Sequence, residues 1–508
     1  MRIRNSIRNT SFGLLTQLIG SMLNFVNRTI FIYALGINYL GVSGFFSNII
    51  SVLSLGELGV SVAITYCLYK PLAENDTDKI NALMSLYEKA YRLIGIFIAI
   101  IGLCFAPFLN SFMKEKLNIP YIPIIYLLYL SNSVISYFFS YKRTLIIADQ
   151  KSYINSKNQV VFSILTSVFQ AMVLLITRNF IFYLTVSIIF TFLSNRSISI
   201  KANKLYPFLK TKERKELKKE DKRQVLKYIF ASMTSNVGGV IVYGTDNLLI
   251  SYFIGVYWVG LYSNYVLILQ VVNTFLNTIF SSVLASVGNL NATDDNEKSY
   301  IMHKVIMFLN FWLYGFCAIC LLNLFNPFIN LWIGGEYLLD NKIILIIVIN
   351  FFIYGMLNST RIYISTLGLF WNTKYIPLIE AAINLIVSII LLKKIGISGV
   401  LIGTTISFLA TVFWIEPYVL FKKGFNKPVS IFFKKYCIYF IILIATAILT
   451  GILTNLLYYT TWLSFIGKIM VCLLIPNSIF TLLFFRTSEF KYLAGIVKNL
   501  VTKIKSNQ

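Results

Sequence analysis

Three arginines and three carboxylates stand inside stretches of sequence that are otherwise apolar: Arg28, Arg143 and Arg361, with Glu57, Asp246 and Glu380. A guanidinium presents a planar fork of donors that matches phosphate oxygens two at a time. A charge held in hydrocarbon costs roughly 2.5–3.5 kcal/mol on insertion scales, so each of these groups needs a partner, water or a ligand. The arginines are therefore candidate ligands for an anionic headgroup. The carboxylates match them one for one. They are candidates for charge pairs or, because protonation of one changes that balance, for coupling to H+ or Na+.

Stripes of small polar residues run beside these charges at helical spacing. Gln17, Gly20, Ser21, Asn24 and Arg28 share one helix face, and Ser232, Ser235, Asn236, Gly239 and Asp246 share another. Further stripes are Ser47, Ser51, Ser54, Glu57 and Ser61; Gln270, Asn273, Asn277 and Ser281; Ser133, Ser136, Tyr137, Ser140 and Arg143; and Asn350, Tyr354, Asn358, Arg361 and Ser365. A face of this kind must be hidden from acyl chains. Small polar residues also serve close helix packing, but arginines and acids do not fit that role. Asn, Gln and Ser suit sugar hydroxyls, which makes Asn24, Asn273 and Asn277 candidate cavity residues beside the arginines. At about 1.5 Å rise per residue, Arg28 and Asp246 fall toward the outer third of a bilayer and Glu57, Arg143, Arg361 and Glu380 toward the inner third. Arg28 and Asp246 could instead pair with each other, and Arg143, which follows Lys142, could snorkel to the interface.

Other chemistry is sparse. The six cysteines (Cys67, Cys104, Cys317, Cys320, Cys437 and Cys472) all lie in apolar runs, where Cys behaves as a small hydrophobe. Cys317 and Cys320 form a CxxC with no second pair nearby, and the single His303 is isolated, so no metal site, cofactor or catalytic residue is expected.

Composition explains what must position these groups. Lys and Arg number 45 against 20 acids, a formal charge of +25, yet only 13% of the 508 residues are charged while 57% are hydrophobic and 16% aromatic. A soluble nucleic-acid binder would be charge-rich throughout. The expected fold is all-α: a polytopic membrane protein with about fourteen transmembrane helices. The apolar runs fall near 10–35, 40–69, 90–110, 120–147, 156–177, 179–200, 225–253, 257–287, 300–333, 342–369, 374–392, 397–421, 435–457 and 462–485. Runs of this length are too long for the strands of a membrane barrel. Arg2, Arg4 and Arg8 precede a segment too long for a cleavable signal, so it reads as the first span.

With the N-terminus inside, the basic clusters Lys201 to Lys227, Lys422 to Lys435 and Arg486 to Lys505 share one side, which then holds roughly 34 of the basic residues. The opposite loops carry only Lys114, Lys116, Arg178, Lys342, Lys393 and Lys394. Both termini are expected in the cytoplasm, with lipid headgroups, not nucleic acid, as the partner of the positive charge. The charged stretch KTKERKELKKEDKRQ, 210–224, reads as a solvated helix joining two halves.

The chain also resembles itself. FAPFLNSFM at 105–113 returns as FNPFINLWI at 325–333, GINYLG at 36–41 returns as GVYWVG at 255–260, and Gly95 matches Gly315, all at a spacing of about 220 residues. Two homologous six-span bundles followed by two further spans account for the length. The expected division is 1–209 for the first lobe, 210–224 for the linker, 225–432 for the second lobe, 433–485 for the two extra spans and 486–508 for a basic cytoplasmic tail. An even number of spans per repeat puts the pseudo-two-fold axis along the membrane normal, as in alternating-access transporters.

The segments GVSGFFSNIISVLSLGELGVSVAITYCLYKPLAEND (41–76), SYKRTLIIADQKSYI (140–154) and YIPLIEAAINLIVSIILLKKIGISGVLIGT (375–404) resemble the bacterial polysaccharide transporter family. These are Wzx-like flippases of lipid-linked oligosaccharides within the multidrug/oligosaccharidyl-lipid/polysaccharide exporter superfamily, which also holds the MATE transporters. The resemblance covers nearly the whole chain. It implies a two-lobed transporter of twelve core spans plus two, in which spans 1, 2, 7 and 8 line a cavity for undecaprenyl diphosphate and glycan. Arg28, Arg143 and Arg361 are then the headgroup ligands. The implied function is a plasma-membrane flippase carrying oligosaccharide repeat units from the inner to the outer leaflet for capsule, O-antigen or exopolysaccharide assembly, with a polysaccharide polymerase and glycosyltransferases as partners. A flippase for a teichoic acid or peptidoglycan precursor, a small-molecule exporter, and a non-transporting scaffold for glycosyltransferases are alternatives. A membrane-embedded polymerase is a further one, disfavoured because every expected outer loop is short; no enzyme activity is expected.

Overall fold

The structure, a computed structural model, describes residues 2–57, 59–112, 119–210, 217–291, 296–457 and 461–506. Lys114, Lys116 and residues 211–216 of the charged linker lie outside these, as do the side chains of Arg2, Arg4, Arg8, Ser232, Ser235, Asn236 and Gly239. The described residues are overwhelmingly helical and contain no strand. Eleven of their helices are long and apolar enough to cross a membrane, or twelve when one bent helix counts as a single span. The all-α polytopic fold is therefore as expected; eleven or twelve candidate spans among the described residues do not by themselves establish the count of fourteen. The run at 40–69 is split into two short helices, and most side chains in the middle of the run at 225–253 lie outside the described set.

Two compact units make up the chain, Met1–Ser263 and Asn264–Gln508. The first contains α1 (Arg2–Leu35), α2 (Ile37–Leu53), α3 (Val60–Glu74), α4 (Thr77–Phe105), α5 (Ile122–Ala148), α6 (Ser152–Thr177), α7 (Phe180–Leu205), α8 (Lys219–Phe253) and the start of α9 (Val256–Asn291). The second contains the rest of α9, then α10 (Asn296–Trp332), α11 (Asn341–Met356), α12 (Asn358–Thr366), α13 (Phe370–Thr373), α14 (Ile376–Ile395), α15 (Ile397–Ala410), α16 (Val412–Val419), α17 (Ser430–Asn455), α18 (Trp462–Phe484) and α19 (Ser488–Ser506). The described end of the charged linker forms the first turn of α8. There Asp221 accepts from Lys79 Nζ at 2.9 Å and ties α8 to the start of α4.

Breaks between helices recur at repeat-related positions. Gly36 (φ 88°) separates α1 from α2, and Gly255 (φ 133°) separates α8 from α9; both values suit only glycine without strain. The helices that begin there touch each other. A Cβ on Gly41 would lie 1.9 Å from the Val256 carbonyl oxygen, and one on Gly260 would lie 2.6 Å from that of Ile37. Ile37 and Gly41 are the repeat equivalents of Val256 and Gly260, so the contact is reciprocal, as across a two-fold axis. Backbones approach this closely in membranes only where side chains are absent.

A second pair of breaks lies deeper in each repeat. The bent helix α5 turns by 48° between Phe138 and Ser140, and α11 gives way to α12 at Leu357. In the second unit the cause is visible. The buried Asn310 of α10 donates from Nδ2 to the carbonyls of Gly355 and Met356, both at 2.8 Å, and so holds backbone groups that a continuous helix would have used. Arg143 and Arg361 each follow their break by one helical turn.

Candidate functional site

Each compact unit gathers a polar cluster of its own. In the first, a 3-10 turn over Ser54–Glu57 interrupts the run between α2 and α3 and presents Glu57 to α4 and α5. Tyr91 donates to its Oε1 at 2.7 Å and Tyr137 to its Oε2 at 2.6 Å. Both carboxyl oxygens thus receive a phenolic proton, the arrangement that holds an acid in a low-dielectric setting. Tyr87 extends the cluster, its ring 4.4 Å from that of Tyr91 and its hydroxyl 3.0 Å from the Thr144 hydroxyl.

Arg143 stands next to Thr144 on α5. Its Nη2 donates to Asn195 Oδ1 of α7 at 3.1 Å, while its buried Nε has no hydrogen-bond partner. The side chain therefore points into the protein, not out to the interface as a snorkelling lysine or arginine would. A buried N–H left unused on a guanidinium is a donor in want of an oxygen.

Arg28 lies half-buried on α1 and donates to Ser263 Oγ of α9 at 2.7 Å, with Tyr129 and Tyr183 close by. Arg28 takes a neutral hydroxyl, and Asp246 sits buried on α8 at 6% exposure. Asn24 is exposed on α1.

In the second unit, Arg361 Nε donates to Glu416 Oε2 of α16 at 3.2 Å, its guanidinium 5.9 Å from the Tyr354 ring centroid. Tyr354 donates in turn to Glu380 Oε1 of α14. Glu380, Glu416, Tyr354 and Arg361 form one cluster in which a single cation faces two acids. Asn273 is half-buried and Asn277 exposed on α9, and neither joins that cluster by any hydrogen bond.

The two arginines of the repeat make equivalent bonds. Arg143 reaches the sixth apolar run of its repeat, 52 residues on, and Arg361 reaches the matching run 55 residues on. The partner differs: a neutral amide in the first unit, a carboxylate in the second. Sequence reasoning passed over Glu416, although an acid inside the run 397–421 carries the same signal as Glu380. Tyr137 and Tyr354 do lie on the polar stripes, but their role as carboxyl donors depends on helix packing that the stripes do not specify.

Among the described residues, no three His, Cys, Asp or Glu side chains gather as a metal would require. Cys320 Sγ lies 3.8 Å from the Cys472 carbonyl oxygen, and His303 is buried among Tyr363, Phe421 and Phe425.

The fold is shared with known transporters. The lipid II flippase MurJ in an inward closed conformation superposes with a TM-score of 0.67 at 16% identity, over 95% of this chain and 99% of that one. An inward-facing multidrug resistance MATE family transporter of the MOP superfamily gives 0.62 at 12% identity, over 82% and 99%. A MOP superfamily transporter from Pyrococcus furiosus, described as having a binding pocket of reversed polarity, gives 0.59 at 13%, over 84% and 97%. No curated protein matches the sequence. The family model described as polysaccharide biosynthesis protein matches residues 6–285, more than half of the chain and including the Glu57 and Arg143 clusters. The chain belongs to this polysaccharide biosynthesis family, on the fold of the MOP superfamily.

Proposed function

We propose that this protein is a plasma-membrane flippase that moves an undecaprenyl-diphosphate-linked oligosaccharide from the inner to the outer leaflet by alternating access. The observation that carries the reading is Arg143: a half-buried side chain, paired with no carboxylate among the described residues, whose buried Nε is unused. That is the state expected of a cation reserved for a phosphate oxygen. Family membership and the shared transporter fold support the same class of substrate.

The arginines then have unequal roles. Arg143 is the principal headgroup ligand, Arg28 a second one held ready by Ser263, and Arg361 is partly committed to Glu416. Glu57, Asp246 and Glu380, now with Glu416, are the candidates for H+ or Na+ coupling. Asn24, Asn273 and Asn277 would meet glycan hydroxyls. The proposed architecture keeps fourteen spans with lobes at 1–209 and 225–432, a linker at 210–224, two extra spans within 433–485 and a basic tail over 486–508, both termini in the cytoplasm. No covalent step is required, and a polymerase and glycosyltransferases would act before and after transport.

The test is the loss of lipid-linked oligosaccharide translocation in proteoliposomes on Arg143→Ala, at unchanged protein level; wild-type transport by that variant would end the proposal. A second reading, a flippase for a peptidoglycan precursor, is favoured by the likeness to a lipid II flippase. Offering both substrates to the same proteoliposomes separates the two.

A further inference from the structure

A groove of about 860 Å³ runs between α16 and α17 in the second unit, lined by Trp414, Ile415, Tyr418, Phe433, Lys434 and Ile438 among others. Its walls are almost wholly apolar. One end is different. The chain between the two helices, residues 420–429, closes that end through a π-helical turn, Leu420–Gly424, that carries Lys422 and Lys423. Such turns are rare and reposition side chains. Lys422 Nζ donates to the hydroxyl of Tyr418 at 2.8 Å, which ties the ammonium to a residue that lines the groove. Lys434 lies along the opposite wall, where a long stem can cover apolar surface while its head stays at the rim.

The charge at this end is unbalanced. Lys427 pairs with Glu297 at 3.0 Å, and Lys435 pairs with Glu489. Among the described residues, Lys422, Lys423 and Lys434 form no such ion pair. An apolar trough with Lys434 in its lining and Lys422 bonded to the hydroxyl of its lining Tyr418 has the polarity that suits a phospholipid, chains along the walls and phosphate at the lysines.

We infer that this groove binds an anionic glycerophospholipid of the surrounding bilayer, its phosphate between Lys422 and Lys434. The transported substrate is not the occupant, because among the described lining residues only Tyr418 and Ser430 carry a hydroxyl and a glycan would find no set of partners. Acyl chains gain nothing on leaving the bilayer for an apolar trough. Selectivity must come from the headgroup, and each lysine near the surface contributes on the order of a five-fold preference for negative lipid.

The test uses the full chain in nanodiscs containing brominated phosphatidylglycerol or brominated phosphatidylcholine. The readout is the quenching of Trp414, taken as the difference between wild type and Trp414→Phe. The inference predicts stronger quenching by phosphatidylglycerol, with the preference falling about five-fold in Lys434→Gln and further when Lys422→Gln is added. Both lysines are exposed, so the variants retain the fold. Equal quenching by the two lipids, an unchanged preference in the double variant, absence of Trp414 quenching, or displacement of the brominated lipid by undecaprenyl diphosphate would each overturn it.

Discussion

Replacing Gly41 with Ala tests the reciprocal contact between α2 and α9 with a single methyl group. The new Cβ would stand 1.9 Å from the Val256 carbonyl oxygen and 2.7 Å from its carbon. That is about 1.5 Å short of ordinary van der Waals contact. The obstacle is backbone, so no rotamer change relieves it and the two helices must part. Overpacking of this kind costs about 1–3 kcal/mol, which for a unit of this size lowers the melting temperature by roughly 4–8 °C at the middle of that range. Gly260→Ala meets the Ile37 carbonyl at 2.6 Å and should cost less. Gly44→Ala meets one side-chain atom, Val259 Cγ1 at 3.0 Å, and no backbone, so it should cost least of the three. Thermal unfolding of the three purified variants in one detergent reads the series. The order Gly41, Gly260, Gly44 is the prediction. A Gly41→Ala protein as stable as wild type, or a Gly44→Ala protein the least stable of the three, would refute the packing.

Four other perturbations have definite expected outcomes. Arg143→Ala should weaken headgroup binding by about 10–100-fold, the worth of a charged hydrogen bond, whereas Arg361→Ala should do less because Glu416 already engages that guanidinium; binding of a soluble diphosphate analogue measures both. Asn310→Leu strips the partner from the Gly355 and Met356 carbonyls and should destabilise the protein by about 1–3 kcal/mol, read as a fall in melting temperature. Tyr91→Phe combined with Tyr137→Phe removes both donors from Glu57 and should lower stability more than either change alone, with Glu57→Gln recovering part of the loss in a thermal-shift series. Burial alone would raise the Glu489 carboxyl, but its bonds to Lys435, its own backbone and Ser488 bring it below the ordinary 4.5. A group lowered on folding stabilises above that value and loses its contribution as pH falls through the lowered one, so the start of α19 should loosen below about pH 4, visible as altered Trp312 fluorescence because Phe490 packs 5.8 Å from that ring.

Much of the fold could be read from runs of apolar residues, because a membrane span is a length rule and length is visible in sequence. The glycines at Gly36 and Gly255 marked the repeat, and the structure gives both a positive φ that explains their use. Breaks within runs were hidden. The turn at Ser54–Glu57 is marked in sequence only by Gly56 and Gly59 within an otherwise spanning run, and the break at Leu357 depends on Asn310, some 46 residues away. The candidate charges were legible for the same reason as the spans, since an arginine in hydrocarbon stands out. Their partners were not. Arg28 binds Ser263 across a separation of 235 residues, a choice made by packing that no local pattern encodes. Glu416, between Ile415 and Pro417, stands in an apolar run just as Glu380 does between Ile379 and Ala381, so the same rule makes it legible.

The most direct measurement is leaflet translocation itself: purified protein in liposomes carrying a lipid-linked oligosaccharide on one leaflet, with a membrane-impermeant lectin reporting its arrival on the other. Wild type should speed arrival well above empty liposomes and Arg143→Ala should return it to their level. Arrival no faster than in empty liposomes, using substrate from the organism's own polysaccharide, would contradict the account.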